Sequence, residues 1–378
     1  MLIPLSSPAT NKILTFTLTF LFCTLSTPST LAQKFRPEPD YDKCSAFVEG
    51  QAFYLFGGEL RQNFVFDLSV PWNASNPVIK EVDTGLVIVG KGCTTTDNGD
   101  LFVLTVGAGF IYNLKSNSWT PFEHPDFATS TPGQFGVRDP ETGIIYIKEE
   151  AMDFRSESTM YSIDLRTKTV NTSKVYSPLF AQGITWSESL KSIVAVDRPI
   201  YLFTPSKVAE PSGGRSTFVA TSKDGDLPTS LCAAPAYGGS IIVFIGKEKA
   251  ANSKAGTYAY ILDVDKQTWK RGPLGDELDH DGPACAVSGD YFIVWGRLPS
   301  WRTDKTLVFN IKTEKWVSKY IPPRPRATTT ILQPSHTPTQ QTNTVPGPSN
   351  TSSGDKKPVA IIVAVTGCLL TIIVGLIV

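Results

Sequence analysis

The chain has no excess of either charge: 35 Lys and Arg face 35 Asp and Glu, and neither sign gathers in one stretch. A nucleic-acid binder needs a basic patch to neutralise phosphates, so that class is excluded and bulk polyanions are not expected as partners. Histidine is nearly missing, with three in 378 residues, of which His124 and His280 lie in the central part of the chain. No Gly-x-Ser-x-Gly elbow, His-Glu-x-x-His pair or phosphate-binding glycine loop occurs, which removes the common signatures of serine hydrolases, zinc proteases and nucleotide hydrolysis. Cysteine is scarce too, at six.

What is present begins with the ends. Lys12 precedes the apolar run from Ile13 to Leu25, and Thr30-Leu31-Ala32 supplies small residues for cleavage, so residues 1–32 read as a signal peptide and the mature chain starts near Gln33. Residues 358–378 carry no charge, and as a helix they span roughly 30 Å, a bilayer's hydrocarbon core. They read as a C-terminal membrane segment, with two readings open. One is a transmembrane helix with a cytoplasmic tail beyond Val378. The other is the removable tail of a GPI signal with attachment near Asn350, Ser352 or Ser353. Both put the protein on the secretory pathway to the cell surface, anchored in the plasma membrane with its head outside.

Residues 326–357 are rich in Ser, Thr and Pro and too poor in large apolar residues to bury a core. They are expected to form a disordered, O-glycosylated stalk. Residues 33–325 remain as the folded head. Asn73, Asn171 and Asn350 each open an N-glycosylation sequon, in keeping with that route.

The head repeats itself. Units begin at Cys44, Cys93, Gln134, Gln182, Cys232 and Cys285, about 40 to 53 residues apart, a period that signals a propeller or array. Within a unit a short strand meets a turn with Gly, Asn or Asp, followed by a β-branched and aromatic strand such as AFYLF, LFVLTV or SIIVFI. A third strand ends in FDL, YNL, IDL, LDV or FNI, and a polar turn leads to a fourth strand opened by Trp119, Val170, Trp269 or Trp316. Such a sheet is apolar on both faces and cannot stand alone. Closing six around an axis covers every face, so the expected fold is all-β, a six-bladed propeller, with a seventh hidden blade left open.

The Gly57-Gly58 pair, the aspartates Asp67, Asp164 and Asp263, and a Trp six residues beyond the last of them resemble the kelch repeat. CAAPAYGGSIIVFIG and GPACAVSGDYFIVWG are similar to kelch proteins of the fungal secretory pathway, often grouped with the galactose oxidase central domain. The resemblance covers almost the whole head, departing where the second Gly is lost, as at Lys148-Glu149 and Asp197-Arg198.

Galactose oxidase chemistry would need a copper held by two imidazoles and two phenols. His124 and His280 fall in the loops before the third and sixth blades, about half a turn of the wheel apart on the repeat reading. They are not expected to share one metal, and no cofactor is expected. A glycosidase would need paired carboxylates, which Glu149-Glu150, Asp276-Glu277 and Asp279-Asp281 offer only as neighbours in loops. Asp276, Glu277, Asp279 and Asp281 also form a weak candidate calcium site.

Cys23 leaves with the signal and Cys368 lies in the apolar tail, so Cys44, Cys93, Cys232 and Cys285 remain, each opening an innermost strand. In an oxidising compartment the spacing suggests disulfides between neighbouring blades, Cys44 with Cys93 and Cys232 with Cys285. Two alternatives stay open: a Cys44–Cys285 bridge closing the ring, and unpaired cysteines acting as small apolar residues near the axis.

Loops joining strands two and three share one face with the connections between blades, and the long insertions fall there. The last of them places Trp301 beside Arg297, Arg302 and Lys305, an aromatic–cation mix typical of binding hot spots, and the third blade's loop adds Glu149 and Arg155. Trp119, Trp269 and Trp316 are expected in the core, Trp72 in a loop and Trp186 in an inner strand. The expected function is non-catalytic recognition of a protein or a cell-wall polysaccharide through that loop face. The alternative is a carbohydrate-active enzyme, a copper oxidase or glycosidase; a purely structural surface protein is a third reading. Oligomeric state is left open.

Overall fold

A computed structural model describes residues 37, 43–58, 61–82, 90–128, 132–149, 158–175, 183–196, 199–207, 215–247, 257–276, 281–297 and 304–324. The expected signal peptide, stalk and C-terminal apolar run lie outside these residues. Among the described residues no helix is long and apolar enough to cross a membrane.

The described strands form six four-stranded antiparallel blades. Blade 1 holds β1 (Lys43–Val48), β2 (Ala52–Gly57), β3 (Phe64–Asp67) and, beyond the two-residue β4 (Trp72–Asn73), β5 (Ile79–Glu81). Blade 2 holds β6 (Gly90–Thr95), β7 (Leu101–Thr105), β8 (Ala108–Asn113) and β9 (Ser118–Phe122); blade 3 holds β10 (Pro132–Arg138), β11 (Ile145–Glu149), β12 (Ser158–Asp164) and β13 (Thr169–Val175). Blade 4 is β14 (Ile184–Ser187), β15 (Ser192–Ala195), β16 (Ile200–Phe203) and β17 (Arg215–Phe218). Blade 5 is β18 (Thr229–Ala236), β19 (Ile241–Lys247), β20 (Thr257–Asp263) and β21 (Thr268–Asp276). Blade 6 is β22 (Asp281–Ser288), β23 (Tyr291–Arg297), β24 (Asp304–Asn310) and β25 (Lys315–Val317), followed by β26 (Lys319–Tyr320). No seventh blade occurs among the described residues.

The repeating acid or amide at the end of the third strand has a physical role. In four blades it is Asn113, Asp164, Asp263 or Asn310, and the residue four places on has a left-handed backbone: Asn117 (φ 52°), Lys168 (55°), Gln267 (53°) and Glu314 (56°). The side-chain oxygen accepts turn N–H groups, from Ser116 (2.9 Å), Arg166 (2.9 Å), Lys266 (3.0 Å) and Thr313 (2.8 Å) respectively. Those donors would otherwise lack partners in so tight a reversal, which is why Asp and Asn recur there.

Packing follows the ring. Six apolar clusters fill the six junctions between neighbouring blades. Trp269 is buried in the junction of blades 4 and 5. Trp119 and Trp316 are half-buried against the edges of their clusters rather than enclosed, a correction to their expected core placement. Each sits on an outermost strand with a neighbour on one side only. Trp186 does lie in an inner strand, β14.

Ring closure also differs from expectation, because Trp72 is not in a loop. It forms β4 and is 4 % exposed, with β26 paired to it in the register Trp72↔Tyr320 and Asn73↔Lys319. Tyr320 is fully buried, stacks on Trp72 at 4.8 Å and donates its hydroxyl to Leu68 O (3.0 Å), 2.8 Å from Ser288 Oγ. The chain leaving blade 6 is thus pinned into blade 1, covering apolar faces that an open ring would expose.

Candidate functional site on the loop face

Cys44 is bonded to Cys93 across blades 1 and 2, and Cys232 to Cys285 across blades 5 and 6, with Cα atoms 5.6 and 6.1 Å apart. No Cys44–Cys285 bridge forms. Blades 2 and 3 meet differently: Phe135 of β10 pairs in parallel with Cys93 of β6, joining two blades into one eight-stranded sheet. Gly136 permits this approach, since a Cβ there would stand 2.8 Å from Cys93 O.

The candidate residues of the last long loop are only partly placed. Arg297 ends β23 opposite Asp281 and Asp304, and Lys305 is half-buried in β24 opposite Gly296. Trp301, Arg302 and Arg155 lie outside the described residues. Glu149 ends β11, half-buried. Of the candidate calcium ligands, Asp276 ends β21 and Asp281 opens β22, while Glu277 and Asp279 lie outside the described residues, as do Glu150 and His280. Among the described residues no group of three His, Cys, Asp or Glu side chains is placed to hold a metal. His124 caps a short 3-10 turn, Pro125–Phe127, by accepting from Asp126 N at 3.3 Å. Asn73 and Asn171 are exposed, on β4 and β13, and Asn350 lies outside the described residues.

Sequence reasoning missed a cleft of about 360 Å³ on the same face, within the ~300–1,000 Å³ typical of small-molecule sites. One wall is Pro125 and Asp126 of the turn between blades 2 and 3; the other is Thr159 and Tyr161 of β12 with Thr172, Ser173 and Lys174 of β13. It opens on the loop face because Thr159 lies where the third strand starts and Lys174 where the fourth ends.

Tyr161 is 4 % exposed and meets the Phe127 ring edge-on at 5.9 Å. Burial, with smaller contributions from Glu149 and then Asp126, pushes its hydroxyl up to about 12, so at neutral pH it stays a neutral O–H. Lys174 Nζ donates to Thr159 Oγ1 at 3.1 Å, while Ser173 Oγ, on the opposite face of the blade beside Met160, is buried with no hydrogen-bond partner among the described residues. The sequence hid Tyr161 well. Three residues before its strand's aspartate, it occupies the position that Phe64 and Tyr260 fill as fully buried core.

Lys43 is a second surprise. It is 1 % exposed, with Nζ donating to Gly57 O (2.5 Å) and Gln62 O (2.8 Å) and standing 5.3 Å from the Phe64 ring centre. It ties the Gly57-Gly58 loop of blade 1 to its own strand.

No family model matches the sequence, and no curated protein matches it. The structure is similar to that of a structural genomics protein of unknown function from Bacteroides thetaiotaomicron, at 12% identity over 72% of this chain and 71% of that one, TM-score 0.49. It is also similar to YjhT, at 11% identity over 74% of this chain and 97% of that one, TM-score 0.49. Kuenenia stuttgartiensis hydrazine synthase gives 12% identity over 59% of this chain, TM-score 0.44, and this chain spans 63% of its length. At such identities and scores these likenesses say nothing about what the chain binds.

Proposed function

We propose that the chain is a kelch-type propeller working as a non-catalytic recognition module, carried outside the cell by the signal peptide, stalk and C-terminal anchor read from its sequence. Its loop face engages a protein or a cell-wall polysaccharide. The observation that supports this reading is the cleft between the Pro125–Phe127 turn and blade 3, which opens on the face that also carries the connections between blades. A rigid wheel with variable loops on one face is a usual platform for recognition.

The experiment is a binding assay with the full chain purified in detergent, against soluble cell-wall glycans and against a surface-protein extract. Saturable binding to either is expected. A folded chain, with its native near-ultraviolet circular dichroism, that binds neither overturns the reading.

A further inference from the structure

We infer that the cleft between the Pro125–Phe127 turn and strands β12 and β13 is a binding site for a neutral saccharide. The inference rests on the recognition reading above and names the ligand class of its loop face. Three of the seven lining residues, Thr159, Tyr161 and Thr172, carry hydroxyls on the face of blade 3 that borders the cleft. A hydroxyl donates one hydrogen bond and accepts others, which is also how each hydroxyl of a sugar behaves. Charge on the lining cancels, Asp126 against Lys174, so nothing there favours a phosphate, a sulfate or a strongly cationic ligand.

Tyr161 pairs with Thr172 across β12 and β13, and Thr159 with Lys174, so these side chains share the face that looks toward the Pro125–Phe127 turn, whereas Ser173 pairs with Met160 and faces blade 4. Thr159 Oγ1 is engaged as an acceptor by Lys174, which leaves its own proton to donate. Tyr161, nine-tenths buried and kept neutral, contributes an O–H from the floor. Pro125 adds an apolar group to the lining, against which a sugar ring's C–H groups can pack. A protein side chain rarely presents several hydroxyls side by side; a saccharide does.

The full chain in detergent is titrated calorimetrically with β-1,3-glucan, mannan and chitin oligosaccharides, and with a heparin oligosaccharide as the charged control. Every titration is repeated with Asn171→Gln, so that glycosylation at the neighbouring sequon does not stand in for the ligand. At least one neutral oligosaccharide is expected to bind, with heparin bound no better. Tyr161→Phe and Thr172→Val should each weaken that binding about tenfold, the effect of losing one or two hydrogen bonds. Thr172 is exposed, so its variant tests the site even if Tyr161→Phe disturbs the fold. An unchanged Kd in Thr172→Val and Tyr161→Phe overturns the inference. So does a chain that binds surface protein but no neutral oligosaccharide, an outcome that leaves the recognition reading standing.

Discussion

The junction of blades 5 and 6 and the junction of blades 3 and 4 are built from the same repeat and fastened very differently. Between blades 5 and 6 the Cys232–Cys285 bridge joins the innermost strands, and thirteen buried apolar residues among those described fill the interface. Among the described residues, seven fill the interface between blades 3 and 4, and no bridge crosses it. Blade 4 is also the slightest, with strands of four residues each against seven to nine in blade 5. In a ring where each blade touches only its neighbours, stability is close to a sum over junctions. Among the described residues the fastening is therefore closest around blades 5, 6, 1 and 2, which two disulfides join, and slightest where blade 4 meets blade 3. Local opening is drawn from such low-stability regions.

The largest expected effect comes from the junction of blades 6 and 1, where the ring is closed by β26. Tyr320→Ala removes a fully buried aromatic ring and leaves Leu68 O without its donor. It should cost about 3–5 kcal/mol, the range for deleting a core aromatic, read as a shift in the guanidinium unfolding midpoint. Less than 1 kcal/mol would mean that β26 does not hold the ring shut.

Next is the comparison itself. Changing Cys232 and Cys285 together to Ala should cost about 2–4 kcal/mol and bring the junction of blades 5 and 6 towards the behaviour of the junction of blades 3 and 4. An unfolding midpoint that does not move would show that the bridge adds nothing to an interface already packed.

Gly136→Ala acts between the two extremes, where blades 2 and 3 share one sheet. Its Cβ would press on the Cys93 carbonyl, backbone that cannot turn aside. A loss of about 1–3 kcal/mol is expected, as for overpacking, together with faster hydrogen exchange in β6 and β10. Wild-type exchange rates there would show the parallel pairing to be dispensable.

The smallest effect concerns the turn carboxylates. Burial raises the Asp164 carboxyl, but hydrogen bonds from Arg166 and Thr167 outweigh it and leave it below its usual value. Asp67 and Asp263 are lowered in the same way, by Ser69 and Lys80 and by Lys266, again against burial. A depressed native value means stability that is present above the unfolded-state value near ~3.9 and lost as pH falls through the native one. Asp164→Asn, the residue type that blades 2 and 6 already carry at Asn113 and Asn310, should flatten the decline in stability below about pH 4. An equally steep acid decline in that variant would exclude Asp164 from it.

Much of this frame could be read from the sequence because each blade repeats the same local solutions. A glycine where the backbone must turn left-handed, as at Gly57 and Gly58, and an acid or amide that collects turn N–H groups, as at Asp164, leave residue types with few substitutes. The cleft could not be read that way. Tyr161 occupies a position that is plain core in other blades, and the opposite wall is a three-residue turn in an inter-blade connection with no counterpart in the repeat. Ring closure was hidden for a related reason: Tyr320 follows the last repeat, and its partner Trp72 sits in an interruption of the first.

The measurement that bears most directly on the account is hydrogen exchange of the full chain with and without the tightest-binding neutral oligosaccharide. The account predicts slower exchange in β12 and β13 on saturation, with β19 and β23 of the stapled blades unchanged. No protection in β12 and β13, or protection confined to β23 and β24, would contradict it.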